Sequence, residues 1–184
     1  MDYKELFIFV EGVDDKRFID TIILPFLDKK GNYSFIKVIE YASLSHHAIR
    51  IILNTTTHKA TQDYIFVCDM DGITDPNASI SKRKEKESEK YGNSLDIKKT
   101  FVVKEEIESW YYAGITTTKL TELELPFFQN TETLTKEEFE KMIPKTFISP
   151  NDFMVEILKE YVLDEGKEKN ASLNYFIGKL ETDY

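Results

Sequence analysis

The chain has 184 residues, enough for one domain and an extension; it is 41% hydrophobic and 31% charged, with a formal net charge of -9. This charge argues against broad electrostatic binding of nucleic acid, although it leaves room for a nucleic-acid enzyme whose own acids first bind divalent cations. A single cysteine, Cys68, excludes a disulfide framework and a multi-cysteine zinc site.

The N-terminal residues MDYKEL lack the basic flank and the cleavage site of a signal peptide. No window of the sequence approaches the ~20 apolar residues of a membrane span. We therefore expect a cytoplasmic protein that does not insert into a membrane.

The first predicted element is a buried strand over Leu6–Val10, where five apolar residues follow one another. Glu11 and Gly12 come directly after it. The stretch Asp14–Leu27 carries apolar residues at helical spacing, which places Asp15 in the first turn of a helix. Because open α/β sheets bind ligands at the carboxyl ends of their strands, these two acids are expected to face one crevice.

The second strand is predicted over Tyr33–Ile39, which is rich in aromatic and β-branched residues. A helix is expected to begin after Ser45, a residue type that favours the N-cap, and to end near residues 55–57. His46 and His47 lie in its first turn. A pair of histidines there is typical of a solvated surface, and a contact to substrate or phosphate is the alternative.

The third buried strand, Tyr64–Cys68, runs directly into Asp69, Met70 and Asp71. Residues 77–93 after it are polar and carry mixed charges, which favours a solvated helix or a mobile loop. The alternative is a phosphate contact by the densest positive patch of the chain, formed by Lys82, Arg83, Lys84 and Lys86.

The fourth strand is predicted over Ile97–Val103, and three glutamates follow it. A helix with Ile107, Trp110 and Tyr111 on one face is expected to end at Gly114. Strands that alternate with helices predict an α/β domain over residues 1–115 with a mostly parallel, four-stranded sheet. The three glutamates that follow the fourth strand are Glu105, Glu106 and Glu108.

Residues 116–184 are expected to form a small helical extension packed on the sheet domain. Thr135 and Glu138 match a capping box at the start of one helix. Further helices are predicted over Pro150–Leu163 and Ala171–Leu180, with a turn over Asp164–Asn170 between them.

Carboxylates thus follow three separate apolar strands. Clustered carboxylates repel one another, and divalent cations relieve that repulsion. Ligand sets made only of oxygen suit hard cations such as Mg2+ or Mn2+, and two such ions can clamp the attacking and leaving oxygens of a phosphodiester. Individually, each acid could instead cap a helix, because negative charge is favourable in a first turn. The acids are Glu11, Asp15, Asp69, Asp71, Glu106 and Glu108.

The order of these motifs resembles the Toprim domain. Glu11-Gly12 follows one hydrophobic strand, and Asp69-Met70-Asp71 follows another. The resemblance covers about residues 6–114 and implies that Glu11, Asp69 and Asp71 bind Mg2+ or Mn2+ and act in phosphodiester chemistry. It is greatest for the nucleases of the overcoming-lysogenisation-defect family, which use a further acid four residues after the glutamate, and Asp15 matches that position.

The same resemblance implies several finer expectations. The segment Glu106–Trp110 is similar to an acidic helix start of small stand-alone Toprim-like proteins, so Glu106 or Glu108 is expected at the second metal. A late lysine that assists the transition state would be Lys179, with Ser172 as the other candidate. The chain is therefore expected to be a nuclease that hydrolyses DNA or RNA. Two kinds of partner stay open: a second copy of the chain in a homodimer, and a separate ATPase or other partner protein.

Two alternatives from other classes stay open. The segment Phe66–Thr74 also resembles the first motif of haloacid-dehalogenase-type phosphatases, in which Asp69 would be the nucleophile and Asp71 the general acid/base. Against it, that motif normally opens the fold, and Glu11 and Asp15 would have no role. The second alternative is a non-catalytic module that binds a cation or a partner protein through its acidic crevice.

Overall fold

The computed structural model describes residues 3–70 and 79–184. The chain divides into two compact units, Met1–Val103 and Lys104–Tyr184. The first unit contains the sheet, and the second is helical. The domain boundary that the sequence places near residue 115 stays a prediction.

The first unit contains a four-stranded, all-parallel sheet flanked by helices, so the predicted α/β class is confirmed. The strands lie in the order β2-β1-β3-β4. Each strand occupies a segment that the sequence marks by its apolar or β-branched run. Their bounds are β1 Glu5–Val10, β2 Phe35–Glu40, β3 Gln62–Asp69 and β4 Thr100–Val103.

The strand order places the topological switch point between β1 and β3. From β1 the chain moves outward to β2 and then returns across β1 to form β3. The register pairs Phe9 with Phe66, so Glu11, which follows β1, and Asp69, which ends β3, lie at the same edge of the sheet. In open α/β sheets this is where ligands bind.

The helix after β1 has a wide turn in its middle. It consists of α1 Val13–Phe18, a π-helical segment Ile19–Ile23 and α2 Leu24–Lys30, where the sequence predicts one regular helix. Pro25 explains the difference, because a proline has no N–H to donate to the preceding turn and its ring crowds that turn. The helix ends at Gly31, whose φ of 67° is the left-handed conformation that favours glycine.

Two longer helices complete the first unit. Helix α3, His46–Thr57, begins where Ser45 was predicted to cap it, and the Ser45 hydroxyl accepts from the Ala48 N–H. A short 3-10 turn, Tyr41–Ser43, precedes it. Helix α4, Ile80–Lys90, occupies the polar segment for which the sequence left a helix or a loop open.

One face of the sheet carries an aromatic core. Phe9 stacks on Phe66 at 5.8 Å between ring centroids, and Tyr41 stacks on Phe66 at 4.6 Å. Cys68 is buried in the same cluster, and Met70 packs against it. This core supports the end of the sheet where Glu11 and Asp69 lie.

The second unit is helical, as predicted. Thr135 and Glu138 form the expected capping box of helix α7, Lys136–Met142. The predicted turn over 164–170 is wrong: the structure has a helix there, α9 Leu163–Lys169. Its sequence, LDEGKEK, places acids in the first turn and lysines in the last, which suits the helix dipole. The helices are α5 Glu108–Ala113, α6 Thr117–Glu122, α7 Lys136–Met142, α8 Pro150–Leu158, α9 Leu163–Lys169 and α10 Ala171–Asp183.

A buried polar network ties the second unit together. Asn170 caps α10 by accepting from the Leu173 N–H, and its amide donates to the hydroxyls of Ser109 and Thr131. Within the described part of the chain, no helix is both long and apolar enough to span a bilayer.

Candidate functional site

Glu11 and Asp15 lie where β1 turns into α1, as predicted. The Gly12 N–H donates to Asp15 Oδ2 at 3.1 Å, so one oxygen of this carboxylate caps the helix. Asp15 is 5% exposed. This capping hydrogen bond is compatible with a further role of the same carboxylate.

The carboxylate of Glu11 is oriented by a buried tyrosine. The Tyr41 hydroxyl donates to Glu11 Oε2 at 3.2 Å, and the Ala42 N–H donates to the Glu11 carbonyl at the same distance. Burial, followed by the charge of Glu11, raises the pKa of Tyr41 far above its ordinary value. Tyr41 therefore stays protonated and remains a donor to Glu11 over the whole physiological pH range.

Asp69 ends β3, and an arginine holds its backbone. The Arg83 Nε–H donates to the Asp69 carbonyl at 2.7 Å. Arg83 also forms an ion pair with Glu87, and the Lys90 ammonium lies 2.8 Å from the same Glu87 oxygen. Arg83 is 3% exposed and Glu87 is 1% exposed, so both charges are buried behind the end of β3.

A pocket of about 250 Å³ opens beside Glu11. Charged and aromatic side chains line it together, and the ring of His46 meets that of Tyr91 edge-on at 5.4 Å. Tyr91 is buried and contacts Phe66. The lining residues are Glu11, Tyr41, Ala42, Leu44, His46, Arg83, Glu87, Lys90 and Tyr91.

Side-chain alternation along β3 separates Asp69 from this pocket. Cys68 and Met70 face the aromatic core, so the Asp69 side chain points to the other face of the sheet. Asp71 falls outside the described residues. Among residues 3–70 and 79–184, no three His, Cys, Asp or Glu side chains are grouped closely enough to hold a metal ion. The predicted metal ligands therefore stay predictions.

Glu106 and Glu108 belong to the second unit, where both contact the first residue of α7. Glu106 Oε2 accepts from the Lys136 N–H at 2.7 Å, and Glu108 Oε1 lies 3.2 Å from Lys136 Nζ. Glu108 is 2% exposed, and burial raises its pKa. Both acids thus have a structural partner, and their role as ligands of a second metal remains a prediction.

The two late candidates lie on α10. Lys179 is partly exposed and pairs with Asp183 at 3.0 Å, within its own helix. Ser172 accepts from Trp110 Nε1 at 2.8 Å and donates to the Asn170 side chain at 2.7 Å. Ser172 is therefore part of the buried polar network, whereas a catalytic role of Lys179 stays a prediction.

The residues around Glu11 that sequence reasoning missed are Tyr41, Glu87 and Tyr91. Helix α4 has a single apolar residue, Ile80, which is 47% exposed, so its buried face has to be polar. Arg83, Glu87 and Tyr91 follow one another at intervals of four and share that face. This spacing in a helix without apolar residues is the signal by which they could have been found.

The inward and outward faces of α4 divide the basic patch of Lys82, Arg83, Lys84 and Lys86. Arg83 points inward, and Lys84 donates to the Ile97 carbonyl at 3.2 Å, whereas Lys82 and Lys86 are exposed. The four cations therefore do not act as one phosphate-binding surface.

Comparison with known proteins leaves the family open. No family model matches the chain. No curated protein matches it either. A solved structure, the C-terminal region of the Burkholderia pseudomallei OLD protein, aligns with 95% of this chain and 89% of its own at 15% identity and a TM-score of 0.40. At that identity and TM-score the likeness assigns neither a family nor an activity to this chain.

Proposed function

We propose that the chain is a divalent-metal-dependent phosphodiester hydrolase that acts as a nuclease on DNA or RNA. One observation carries the proposal: Glu11 directly follows β1 and Asp69 ends β3, and these two strands flank the topological switch point of a parallel sheet. Capping explains an acid in a first turn, but it does not explain acids at two adjacent strand ends.

The donor atoms are of the type that a hard divalent cation prefers. Glu11, Asp15 and Asp69 offer oxygen only, and the one cysteine is buried in the aromatic core. In the proposal, Glu11 and Asp69 hold Mg2+ or Mn2+ together with Asp71 and Asp15, and Glu106 or Glu108 contributes at a second ion. Such an ion, when bound, supplies an activated water and neutralises charge that develops on the phosphate.

The chain's own residues supply orientation around that chemistry. Tyr41 holds one oxygen of Glu11 and so orients this carboxylate at the edge of the sheet. Lys179 is proposed to assist the transition state, and either a second copy of the chain or a separate ATPase or partner protein is proposed to help bind substrate. Since the net charge of the chain is -9, we expect the cations to bind before the nucleic acid does.

The experiment is cleavage of plasmid DNA and of single-stranded RNA in Mg2+, Mn2+ or EDTA, comparing the wild type with Asp69→Ala and Asp28→Ala. Asp28 is an exposed acid on α2 and serves as the matched control. We expect cleavage only with the cation, a loss of more than about 100-fold in Asp69→Ala, and no change in Asp28→Ala.

Asp69→Ala activity within tenfold of the wild type would contradict the proposal. Turnover of a small phosphomonoester without cleavage of either nucleic acid would instead identify a phosphatase. The absence of both reactions would favour a binding module.

A further inference from the structure

The Arg83 guanidinium is the most deeply buried cation close to the predicted acids of the first unit. It lies on α4, is 3% exposed, and points toward the end of β3. Two of its contacts reach different elements: Nε donates to the Asp69 carbonyl at the end of β3, and Nη1 contacts Glu87 on α4. The guanidinium therefore links the last residue of a central strand to a buried carboxylate.

Burial of such a pair is costly and gives little net stability. Desolvation of two charges costs several kcal/mol for each ion, and hydrophobic residues of the same volume often stabilise a fold equally well or better. An apolar residue at position 83 could pack against the aromatic core, but it could not hold a carbonyl group. The hydrogen bond to the backbone of Asp69 is therefore a contact that an apolar replacement would lose.

We propose that Arg83 is a positioning residue for Asp69, an inference that rests on the proposed function. The last rung of the ladder between β3 and β4 pairs Asp69 with Val103, and the peptide that follows Asp69 lies at the end of the strand. The Arg83 Nε–H fixes the orientation of that peptide, and with it the direction in which the Asp69 side chain leaves the sheet. A metal site requires such fixed ligands, since loss of an outer contact that orients a ligand costs about 10–100-fold in metal affinity.

Glu87 completes the arrangement by fixing Arg83. It is 1% exposed, and one of its oxygens is shared between Arg83 and Lys90. A lysine at position 83 would keep the charge next to Glu87, but an ammonium on a flexible stem lacks the planar fork that reaches two acceptors at once. Arg83→Lys is therefore the variant that separates positioning from charge.

The test compares Arg83→Lys with Arg50→Gln, a change at an exposed arginine on α3 of the same unit. Mn2+ affinity is measured without substrate from the electron paramagnetic resonance signal of the free ion, and kcat and KM are measured for cleavage. For Arg83→Lys we expect a cooperatively folded protein, Mn2+ binding at least about tenfold weaker, a lower kcat and an unchanged KM. Arg50→Gln should match the wild type in every measurement.

Wild-type Mn2+ affinity and kcat in Arg83→Lys would overturn the inference and leave the proposed function standing. A wild type that neither binds Mn2+ nor cleaves nucleic acid would overturn both. If Arg83→Lys does not fold, Glu87→Gln decides, with the exposed Glu89→Gln of the same helix as its control. Weaker Mn2+ binding in Glu87→Gln alone supports the role of Arg83, and equal binding in the two variants overturns it.

Discussion

At the scale of single residues, the second unit depends on space left by two glycines. The Tyr161 hydroxyl donates to the Trp110 carbonyl at 2.8 Å, and the ring lies against Gly114 on one side. A Cβ at Gly114 would lie 2.3 Å from the ring, and one at Gly166 would lie 2.6 Å from the hydroxyl. Both distances are far below van der Waals contact, so neither glycine can be replaced without moving Tyr161.

We predict that Gly114→Ala lowers the free energy of unfolding by about 1–3 kcal/mol, because the added methyl group displaces an anchored ring. Urea unfolding measures this change. Gly178→Ala on α10 is the matched control, since nothing lies within 4 Å of its Cβ position, and it should stabilise the protein by about 0.5–1 kcal/mol. A Gly114→Ala variant as stable as Gly178→Ala would show that Tyr161 is not held in place.

Only part of the candidate site could be predicted from the sequence, and individual contacts explain why. Glu11 and Asp69 were predicted because each directly follows an apolar run, and Asp15 because it falls in the first turn of the helix that comes next. Tyr41 is 30 residues away from Glu11 in the chain, and nothing in its neighbourhood signals that its hydroxyl reaches that carboxylate. Such a contact depends on the pairing of β1 with β2, which sequence periodicity does not report.

At the scale of elements, a buried lysine links two helices of the second unit. Lys119 on α6 is 3% exposed, and its ammonium contacts Glu156 on α8 at 2.9 Å and Glu122 at 3.2 Å. The hydrogen bonds from Lys159 and Lys119 lower the pKa of Glu156 to about 2. Because the pKa is depressed in the folded state, the resulting stability is present above the ordinary pKa near 4.5 and is lost as the pH falls toward 2.

We predict that Glu156→Gln is less stable than the wild type by about 1 kcal/mol at pH 7, a magnitude that allows for the partial exposure of this carboxylate. The difference should shrink below pH 4.5 and vanish near pH 2, as measured by urea unfolding across this range. Glu140→Gln, at an exposed position of α7, should show no such dependence. A difference between Glu156→Gln and wild type that is constant with pH would contradict an ionic cause.

Elements themselves were predicted unevenly, for physical reasons. The four strands and the capped helices were predicted because apolar runs and N-cap residues are local signals. Helix α9 was missed because its sequence is polar and contains Gly166, which normally indicates a turn; here the glycine makes room for the Tyr161 hydroxyl. The π-helical segment was also missed, since its cause, Pro25, lies in the helix that follows it.

At the scale of the whole molecule, the proposed ligands are divided between the two units. Glu11, Asp15 and Asp69 belong to the first unit, and Glu106 and Glu108 to the second. The single tryptophan, Trp110, is fully buried in the second unit, so its fluorescence reports unfolding there, while far-UV circular dichroism reports both units. This division allows a test of whether the acids of both units bind the same ions.

We predict that Mg2+ at 100 times its dissociation constant stabilises the wild type by about 2.7 kcal/mol through linkage. NaCl at equal ionic strength should not reproduce this, since screening acts on every surface charge alike. Glu11→Gln should lose the shift and, relieved of repulsion between acids, should melt no lower than the wild type in EDTA.

If Glu106 or Glu108 shares the ions, the fluorescence transition of Trp110 moves with Mg2+ by as much as the circular dichroism, and the double variant Glu106→Gln/Glu108→Gln diminishes both shifts. Equal wild-type melting temperatures in EDTA and in Mg2+ would contradict tight metal binding by either unit.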